Sequence, residues 1–296
     1  MTDLSPASPA DEAIRAASPA LWEALSPLGR RVRQPVHFLP LQTAEARGKP
    51  FNATIGQITD GHGRAVPLPP MAAALGGLDE EERSRAFLYS PVEGMADLRH
   101  AWRERQGLPD SSLPIVTVGP EQALGLAAQL FAAPGRPALL IADVTGDRPG
   151  LQDLLEIRIG ADLLLRLEDR PVGEPLFVVV PPGARRADLV AAAERGPLIV
   201  VVDAARPAPD ADAGRALFRG LLDASPSLIP LLVEGSEELG FPGGRVGFLT
   251  FPFPPDSAVA LGLESKVKMV LRAEIGSPSA ATQRLVLRSI ADHYTR

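Results

Sequence analysis

Residues 228–251 read LIPLLVEGSEELGFPGGRVGFLTF, and this stretch decides the fold of the chain. Two apolar runs, Leu228–Val233 and Val246–Phe251, flank a segment that contains Ser236, two adjacent glutamates and four glycines. Short apolar runs bounded by glycine are typical of buried strands joined by a turn. The stretch therefore predicts two strands of a sheet, with polar side chains concentrated in the turn between them.

Earlier apolar runs alternate with helical patterns along the chain. Four further strands are predicted, at Ile115–Val118, Ala138–Ala142, Phe177–Val180 and Ile199–Val202. Helices are predicted at Met95–Gln106, Glu121–Ala132, Arg186–Arg195 and Arg215–Leu222. This alternation predicts the α/β class, with a doubly wound, mostly parallel sheet flanked by helices. Because ligands bind beyond the carboxyl ends of parallel strands, we expect the site residues in the loops that follow them.

Helices are also expected towards both ends of the chain. The Ala-rich segment Asp11–Leu25 carries an apolar stripe that predicts one continuous helix. Asp256 or Ser257 is expected to cap a long helix, which Ser277-Pro278 ends, and Ser279–His293 is predicted as the last helix. These predictions divide the chain into a leader and helix at residues 1–36, an arm and first helices at 37–110, the α/β core at 111–254, and C-terminal helices at 255–296.

Composition excludes several classes of function. The net charge of −6 and the absence of any basic run longer than Arg30-Arg31 argue against a nucleic-acid partner. No apolar run approaches the length needed to span a membrane. The chain has no cysteine, which favours a cytoplasmic location, and its four histidines show no metal-ligand spacing, so no metal site is predicted. Lysine is rare, with only Lys49, Lys266 and Lys268 in the whole chain.

The polar turn at residues 236–248 resembles the cofactor-lysine segment of fold-type I aminotransferases, which use pyridoxal phosphate. That family has Ser or Thr, then Lys, and eight residues later an Arg followed by Val-Gly-Phe or Val-Gly-Tyr. Ser236, Arg245 and Val246-Gly247-Phe248 match this pattern, but Glu237 stands at the lysine position. A carboxylate cannot form the Schiff base on which that chemistry depends.

Other segments resemble the same family. They are LPLQ at residues 39–42, NATIG at residues 52–56, and the segment from Tyr89 to Arg99 that matches Tyr-x-Pro-x-x-Gly-x-x-x-Leu-Arg. The resemblance implies that Asp203 would pair with the pyridine nitrogen of the cofactor, and that Ser236 and Arg245 would bind its phosphate. It also implies that Tyr89 would reach the phosphate site of a neighbouring subunit. We therefore regard these four residues as vestigial cofactor ligands and expect a homodimer, or a heterodimer with an aminotransferase-like chain.

The chain departs from the family pattern at several further positions. Arg206 replaces a tyrosine that contacts the ring oxygen of the cofactor, and Val180 replaces an asparagine that contacts the same oxygen. Glu121 takes the place of a small hydroxyl in the phosphate loop, although Pro120 and an acid beside it also make an ordinary helix start. Residues 143–149 contain no aromatic to stack on the ring. The small C-terminal domain of the family, which carries an arginine for the substrate carboxylate, is expected to be largely missing.

These departures predict a catalytically inactive aminotransferase-like protein with a scaffold, regulatory or partner-subunit role, and no bound cofactor. One alternative is a cofactor-free small-molecule or acid–base site in the old cleft, built from acids such as Glu237 and Glu238. A second alternative is a working pyridoxal-phosphate-dependent aminotransferase acting on an amino acid.

Overall fold

The structure is a computed structural model that describes residues 9–31, 45–46, 60, 64–141, 149–205 and 210–294. The arm segments 39–42 and 52–56, Lys49, Arg206 and residues 143–148 of the loop without an aromatic lie outside the described residues.

A mostly parallel sheet forms the centre of the molecule. Its strands within the described residues are β1 (Ile115–Thr117), β2 (Pro137–Leu140), β3 (Asp162–Leu163), β4 (Leu176–Val180), β5 (Leu198–Asp203), β6 (Leu228–Gly235) and β7 (Gly247–Thr250). Their order across the sheet is β1-β7-β6-β5-β4-β2-β3. Strand β7 is antiparallel to both β1 and β6, and the remaining pairings are parallel. The α/β, doubly wound, mostly parallel sheet predicted from the sequence is therefore confirmed.

Helices surround this sheet. Those described are α1 (Pro9–Ala17), α2 (Pro19–Ala24), α3 (Pro27–Arg31), α4 (Pro69–Gly76), α5 (Glu80–Arg85), α6 (Ala96–Gln106), α7 (Pro120–Phe131), α8 (Pro149–Asp153), α9 (Arg186–Ala193), α10 (Asp210–Leu221), α11 (Ala258–Glu274) and α12 (Ala280–Tyr294). A π-helix at Leu154–Ile159 continues α8, and short 3₁₀ turns occupy Leu167–Asp169, Ser236–Leu239 and Pro242–Gly244.

The central strands are buried on both faces because helices cover each side. Every residue of β4, LFVVV, and of β5, LIVVVD, is buried. Helices α7 and α11 pack on one face through residues such as Leu124 and Val267. Helices α9 and α10 pack on the other face through residues such as Leu189 and Phe218. Continuous Val/Ile/Leu runs are what a strand covered on both faces requires.

A third core lies at the β1–β7 end of the sheet. Here α4, α6 and α12 pack together, and the ring of Trp102 stacks on Phe248 with centroids 3.8 Å apart. Neither α4 nor α5 was predicted, although Asp79 and Glu82 form a reciprocal capping box at the start of α5. That pair is a sequence signature of a helix start, so the signal for α5 was present.

Two predictions at the ends of the chain have different outcomes. The single helix at Asp11–Leu25 is wrong, because the helix breaks at Ser18, whose hydroxyl accepts a bond from the Leu21 amide at 3.4 Å. Pro19 starts the second helix at a position where no amide hydrogen is needed. Ser257, by contrast, caps α11 as predicted, accepting from the Ala260 amide at 3.1 Å.

Candidate functional site

The turn between β6 and β7 holds Ser236 inside its own hydrogen-bond pattern. Ser236 Oγ donates to the carbonyl of Phe241 at 2.9 Å and accepts from the Val246 amide at 3.4 Å. The Ser236 amide also donates to the Val246 carbonyl at 2.8 Å. Because Ser236 is fully buried, its hydroxyl serves to close the turn.

Arg245 lies at the end of this turn and reaches the start of α7. Its Nη2 pairs with the carboxylate of Glu121, and its Nη1 lies 3.5 Å from Oε1 of Glu237. The guanidinium rests on the backbone of Gly119, where a Cβ would lie 2.3 Å from Nη2. Gly119 has φ +83°, a conformation that glycine adopts without strain. Only glycine at this position lets the guanidinium approach the helix start so closely.

Glu237 folds back over the end of β6. A Cβ on Gly235 would lie 2.0 Å from Oε2 of Glu237 and 3.3 Å from Cδ of Pro120. The carboxylate at position 237 is thus placed beside the first turn of α7. We call Glu121, Glu237 and Arg245 the site cluster. It brings together one predicted vestigial residue, Arg245, the acid at the lysine position and the acid predicted to replace a hydroxyl.

The site cluster is partly open to solvent and carries a net negative charge. The side chains of Arg245 and Glu121 are 43% and 57% exposed, so their ion pair is worth about 0–1 kcal/mol. A further anion beside these residues would meet two carboxylates and one guanidinium. Each carboxylate would oppose a unit negative charge about 5 Å away by about 3 kcal/mol at an effective dielectric near 20. Taken by themselves, these three side chains therefore disfavour a phosphate.

The other predicted site residues lie on other elements. Asp203 ends β5, in register with Val233, and its Oδ1 accepts from the Ala205 amide at 3.3 Å. A bond from an aspartate oxygen to the amide two residues on is typical of an aspartate that starts a turn. Val180 is buried at the end of β4. Tyr89 follows α5 on the surface, and it is 98% exposed.

A second acid–arginine group lies beneath the same turn, and sequence reasoning did not find it. Arg215 of α10 donates from Nε to Glu234 Oε1 at 2.6 Å and from Nη2 to the carboxylate of Glu238. Arg105 of α6 donates to Glu238 Oε1 at 2.5 Å. We call Glu234, Glu238, Arg215 and Arg105 the buried cluster. Glu238, which the sequence places in the same turn as Glu237, thus pairs with two arginines from distant helices.

Neutral donors complete the buried cluster. Trp102 Nε1 donates to Glu234 Oε2 at 3.0 Å, and Gln106 Nε2 donates to the same oxygen. Gln106 Nε2 also lies 2.9 Å from Thr250 Oγ1. Glu234 is fully buried, so each of its oxygens needs such a donor.

The electrostatics of the buried cluster shift two pKa values. Burial raises the pKa of Glu238 and the neighbouring Glu234 raises it further, while Arg215 and Arg105 offset only part of this effect. Burial alone would lower the pKa of Arg215, but Glu234 and Glu238 together raise it above the ordinary arginine value. Arg215 is therefore a permanent cation shared by two acids.

A cavity of about 520 Å³ lies between α7, the helical segment at residues 150–158 and the end of α11. Its wall includes the carboxylates of Glu121, Asp153 and Glu274. Gln122 and Gln129 hold the Glu274 carboxylate through bonds of 3.1 and 2.9 Å. Burial, followed by repulsion from the Glu156 carboxylate, raises the pKa of Asp153.

Among the described residues, no group of His, Asp or Glu could hold a metal ion. In that same part of the chain, every helix is too short or too polar to cross a bilayer.

Comparisons with known proteins identify the fold. No family model matches the sequence, and no curated protein does. The structure is similar to the broad-specificity aminotransferase of Leishmania mexicana, with TM-score 0.65 and 19% identity over 93% of this chain and 75% of that chain. It is also similar to an aromatic-amino-acid aminotransferase of Burkholderia pseudomallei solved covalently bound to pyridoxal phosphate, with TM-score 0.63 and 17% identity over 92% and 75%. An aspartate aminotransferase of Trypanosoma cruzi gives TM-score 0.64 and 16% identity over 89% of this chain and 74% of that chain. The protein thus has the fold of the pyridoxal-phosphate-dependent aminotransferases.

Proposed function

We propose that the protein is a catalytically inactive aminotransferase-like protein that acts as a scaffold, a regulatory subunit or the partner of a related chain. The observation that carries this proposal is the site cluster. The arginine that the resemblance assigns to the cofactor phosphate is paired with two carboxylates, and one of these, Glu237, stands at the position of the Schiff-base lysine.

The residues present do not fit pyridoxal phosphate. The cofactor needs an amine for its aldehyde and a cationic cup for its phosphate, whereas position 237 supplies a carboxylate and Arg245 is already engaged. The Ser236 hydroxyl is used within its own turn. No lysine occurs between Lys49 and Lys266, so the site loops of the sheet hold no substitute.

This part of the proposal is tested by an absorbance titration of the purified protein with pyridoxal phosphate. We expect the spectrum of the free cofactor at every ratio. A shifted absorption band that saturates at one cofactor per chain would support the working aminotransferase instead.

The partner role is supported by an exposed apolar segment. Phe87 and Tyr89 are 91% and 98% exposed, and Leu88 between them is also exposed. Three adjacent large apolar side chains on a surface are typical of an interaction site. We propose that this segment contributes to a homodimer, or to a heterodimer with an aminotransferase-like chain in the cytoplasm.

Light scattering after size-exclusion chromatography tests this assembly. We expect a dimer for the wild-type protein and a shift towards monomer for the Phe87→Ser/Tyr89→Ser variant. Leu165→Ser is the matched control, because Leu165 is equally exposed but lies next to the edge strand β3. A wild-type monomer would argue against the homodimer.

A second candidate function is a cofactor-free site for an organic cation. The cavity beside α7 favours it, because Asp153 and Glu274 from different elements line one space with Arg158, while Glu121 at the same cavity is paired with Arg245. Calorimetric titration with 1,4-diaminobutane tests this reading, with Glu274→Gln as the variant that weakens binding. Absence of heat in the wild-type protein would remove this candidate.

A further inference from the structure

The cavity beside α7 combines an apolar wall with charged side chains. Its volume of about 520 Å³ lies within the range of small-molecule sites. The apolar part of the wall is formed by Gly125 of α7 and by Leu154 and Ile157 of the π-helix. A Cβ on Gly125 would lie 3.6 Å from Cδ2 of Leu154, so the two helices approach closely there. Such a wall suits the methylene chain of a ligand.

Glu274, at the end of α11, is held at the cavity by two side chains of α7. Gln129 Nε2 donates to Glu274 Oε1 at 2.9 Å, and Gln122 Nε2 donates to Oε2 at 3.1 Å. The amide of Gln122 is itself oriented, because its Oε1 accepts from the Val118 amide at 2.8 Å. Both donors are neutral, so Glu274 keeps its negative charge, and its oxygens can accept further bonds from a ligand.

The helical segment opposite α7 brings an acid and a base to the same cavity. Asp153 is the last residue of α8, and Arg158 lies five positions later in the π-helix. A π-helix joins residues five apart, as the bond of 2.9 Å from the Gly160 amide to the Leu155 carbonyl shows. In an α-helix, residues five apart would point about 140° away from each other. The wider winding therefore turns Arg158 towards the side of Asp153.

These side chains leave the cavity with one excess negative charge. Within the described residues, neither Asp153 nor Arg158 forms an ion pair. Glu121 at the same cavity is paired with Arg245, so it adds little net charge. Two carboxylates, Asp153 and Glu274, thus share the cavity with one unpaired guanidinium.

We propose that the cavity binds a diamino acid, an organic molecule with two ammonium groups and one carboxylate. Asp153 and Glu274 would each accept an ammonium group, and the guanidinium of Arg158 would bind the carboxylate through paired hydrogen bonds. This inference rests on the second candidate function, a site for an organic cation, and adds a carboxylate to that cation.

Calorimetric titration of the full-length protein with three related molecules tests the proposal. L-Ornithine carries both ammonium groups and the carboxylate, 1,4-diaminobutane lacks the carboxylate, and 5-aminopentanoate lacks the α-ammonium group. We expect L-ornithine to bind at least about tenfold more tightly than either of the others, because each of them loses one charge-assisted contact.

Three variants assign the contacts. In Arg158→Gln, we expect the affinity for L-ornithine to fall about tenfold, while the affinity for 1,4-diaminobutane is kept or increased. Asp153→Asn should weaken the binding of both molecules about tenfold, because both use an ammonium group there. Glu156→Gln is the matched control, since Glu156 belongs to the same π-helix but lies outside the cavity wall, and both affinities should stay within about twofold.

The outcomes separate this inference from the candidate function on which it rests. Equal affinity for L-ornithine and 1,4-diaminobutane, or equal weakening of both in Arg158→Gln, would overturn the carboxylate contact and leave a site for an organic cation. Affinity for 5-aminopentanoate equal to that for L-ornithine would overturn the second ammonium contact. No saturable binding of any of the three molecules would remove the cation site and this inference together. Circular dichroism of each variant checks that its fold is kept.

Discussion

The site cluster and the buried cluster are built from the same two residue types, and they meet at the same turn. In the site cluster Arg245 joins Glu121 and Glu237 at a partly open surface. In the buried cluster two arginines join Glu234 and Glu238, and of these four side chains only Arg105, which is 21% exposed, has appreciable access to water. Glu237 and Glu238 are adjacent in the chain, yet each belongs to a different cluster.

The difference between the clusters is one of solvation. Water screens the charges of the site cluster, so its ion pairs contribute little to stability and can exchange partners. The buried cluster has lost that screening, and each of its charges depends on the others. The fold is therefore secured beneath the turn, while residues of the surface above it can change without unfolding the chain. The following variants test this contrast.

The largest effect is expected when the shared cation of the buried cluster is removed. Arg215→Ala leaves Glu234 and Glu238 buried without their common partner, and we expect a loss of about 3–5 kcal/mol in the free energy of unfolding. Urea denaturation measures it. Arg219→Ala, on the same helix but exposed, is the control, and we expect a loss of about 1 kcal/mol or less. Equal losses in the two variants would show that Arg215 contributes no more to stability than an exposed arginine of the same helix.

A smaller effect is expected for Trp102→Phe. Phenylalanine can keep the stack on Phe248 but removes the donor at 3.0 Å from Glu234. One buried carboxylate oxygen then loses a hydrogen bond, which costs about 1–3 kcal/mol. A stability equal to that of the wild-type protein, measured in the same urea series, would show that Gln106 alone satisfies that oxygen.

The pH dependence of stability separates the clusters further. Because the pKa of Glu238 is raised in the folded state, protonation of Glu238 increases the free energy of unfolding. This stabilisation is fully present below pH 4.5 and is lost as the pH rises through the folded pKa. Glu238→Gln should flatten this part of the stability curve. Urea denaturation of both proteins across the acid range measures the difference. If the free energy of unfolding depends on pH in the same way in both, Glu238 is not the group that titrates.

The smallest effect is expected for Arg245→Ala. Removal of a partly exposed ion pair should change the free energy of unfolding by about 1 kcal/mol or less. The backbone at position 245 is left-handed, with φ 49°. Alanine is as disfavoured in this conformation as arginine, so the substitution should not relieve backbone strain. A loss as large as that of Arg215→Ala would show that the site cluster also secures the fold.

The sheet was predictable because its strands are continuous Val/Ile/Leu runs whose ends lie within a few residues of the predicted bounds. Strand β3 was missed because two residues carry no pattern, and the helix break at Ser18-Pro19 was missed although proline marks it. In the site, the closeness of Arg245 and Glu237 was predictable, because both lie in the turn between β6 and β7. The burial of Glu234 and Glu238 was not, because their partners lie on α6 and α10, far away in sequence. Tertiary packing alone decides such pairings.

The central claim is that this chain keeps an aminotransferase fold but not the chemistry of its cofactor. The most direct measurement is intact-mass spectrometry after borohydride reduction of the protein mixed with equimolar pyridoxal phosphate, followed by peptide mapping. Glu237→Lys, which places an amine at the turn, serves as the comparison. We predict no stoichiometric adduct on the wild-type protein and an adduct at position 237 in the variant. A stoichiometric adduct on Lys49, Lys266 or Lys268 of the wild-type protein would contradict the account.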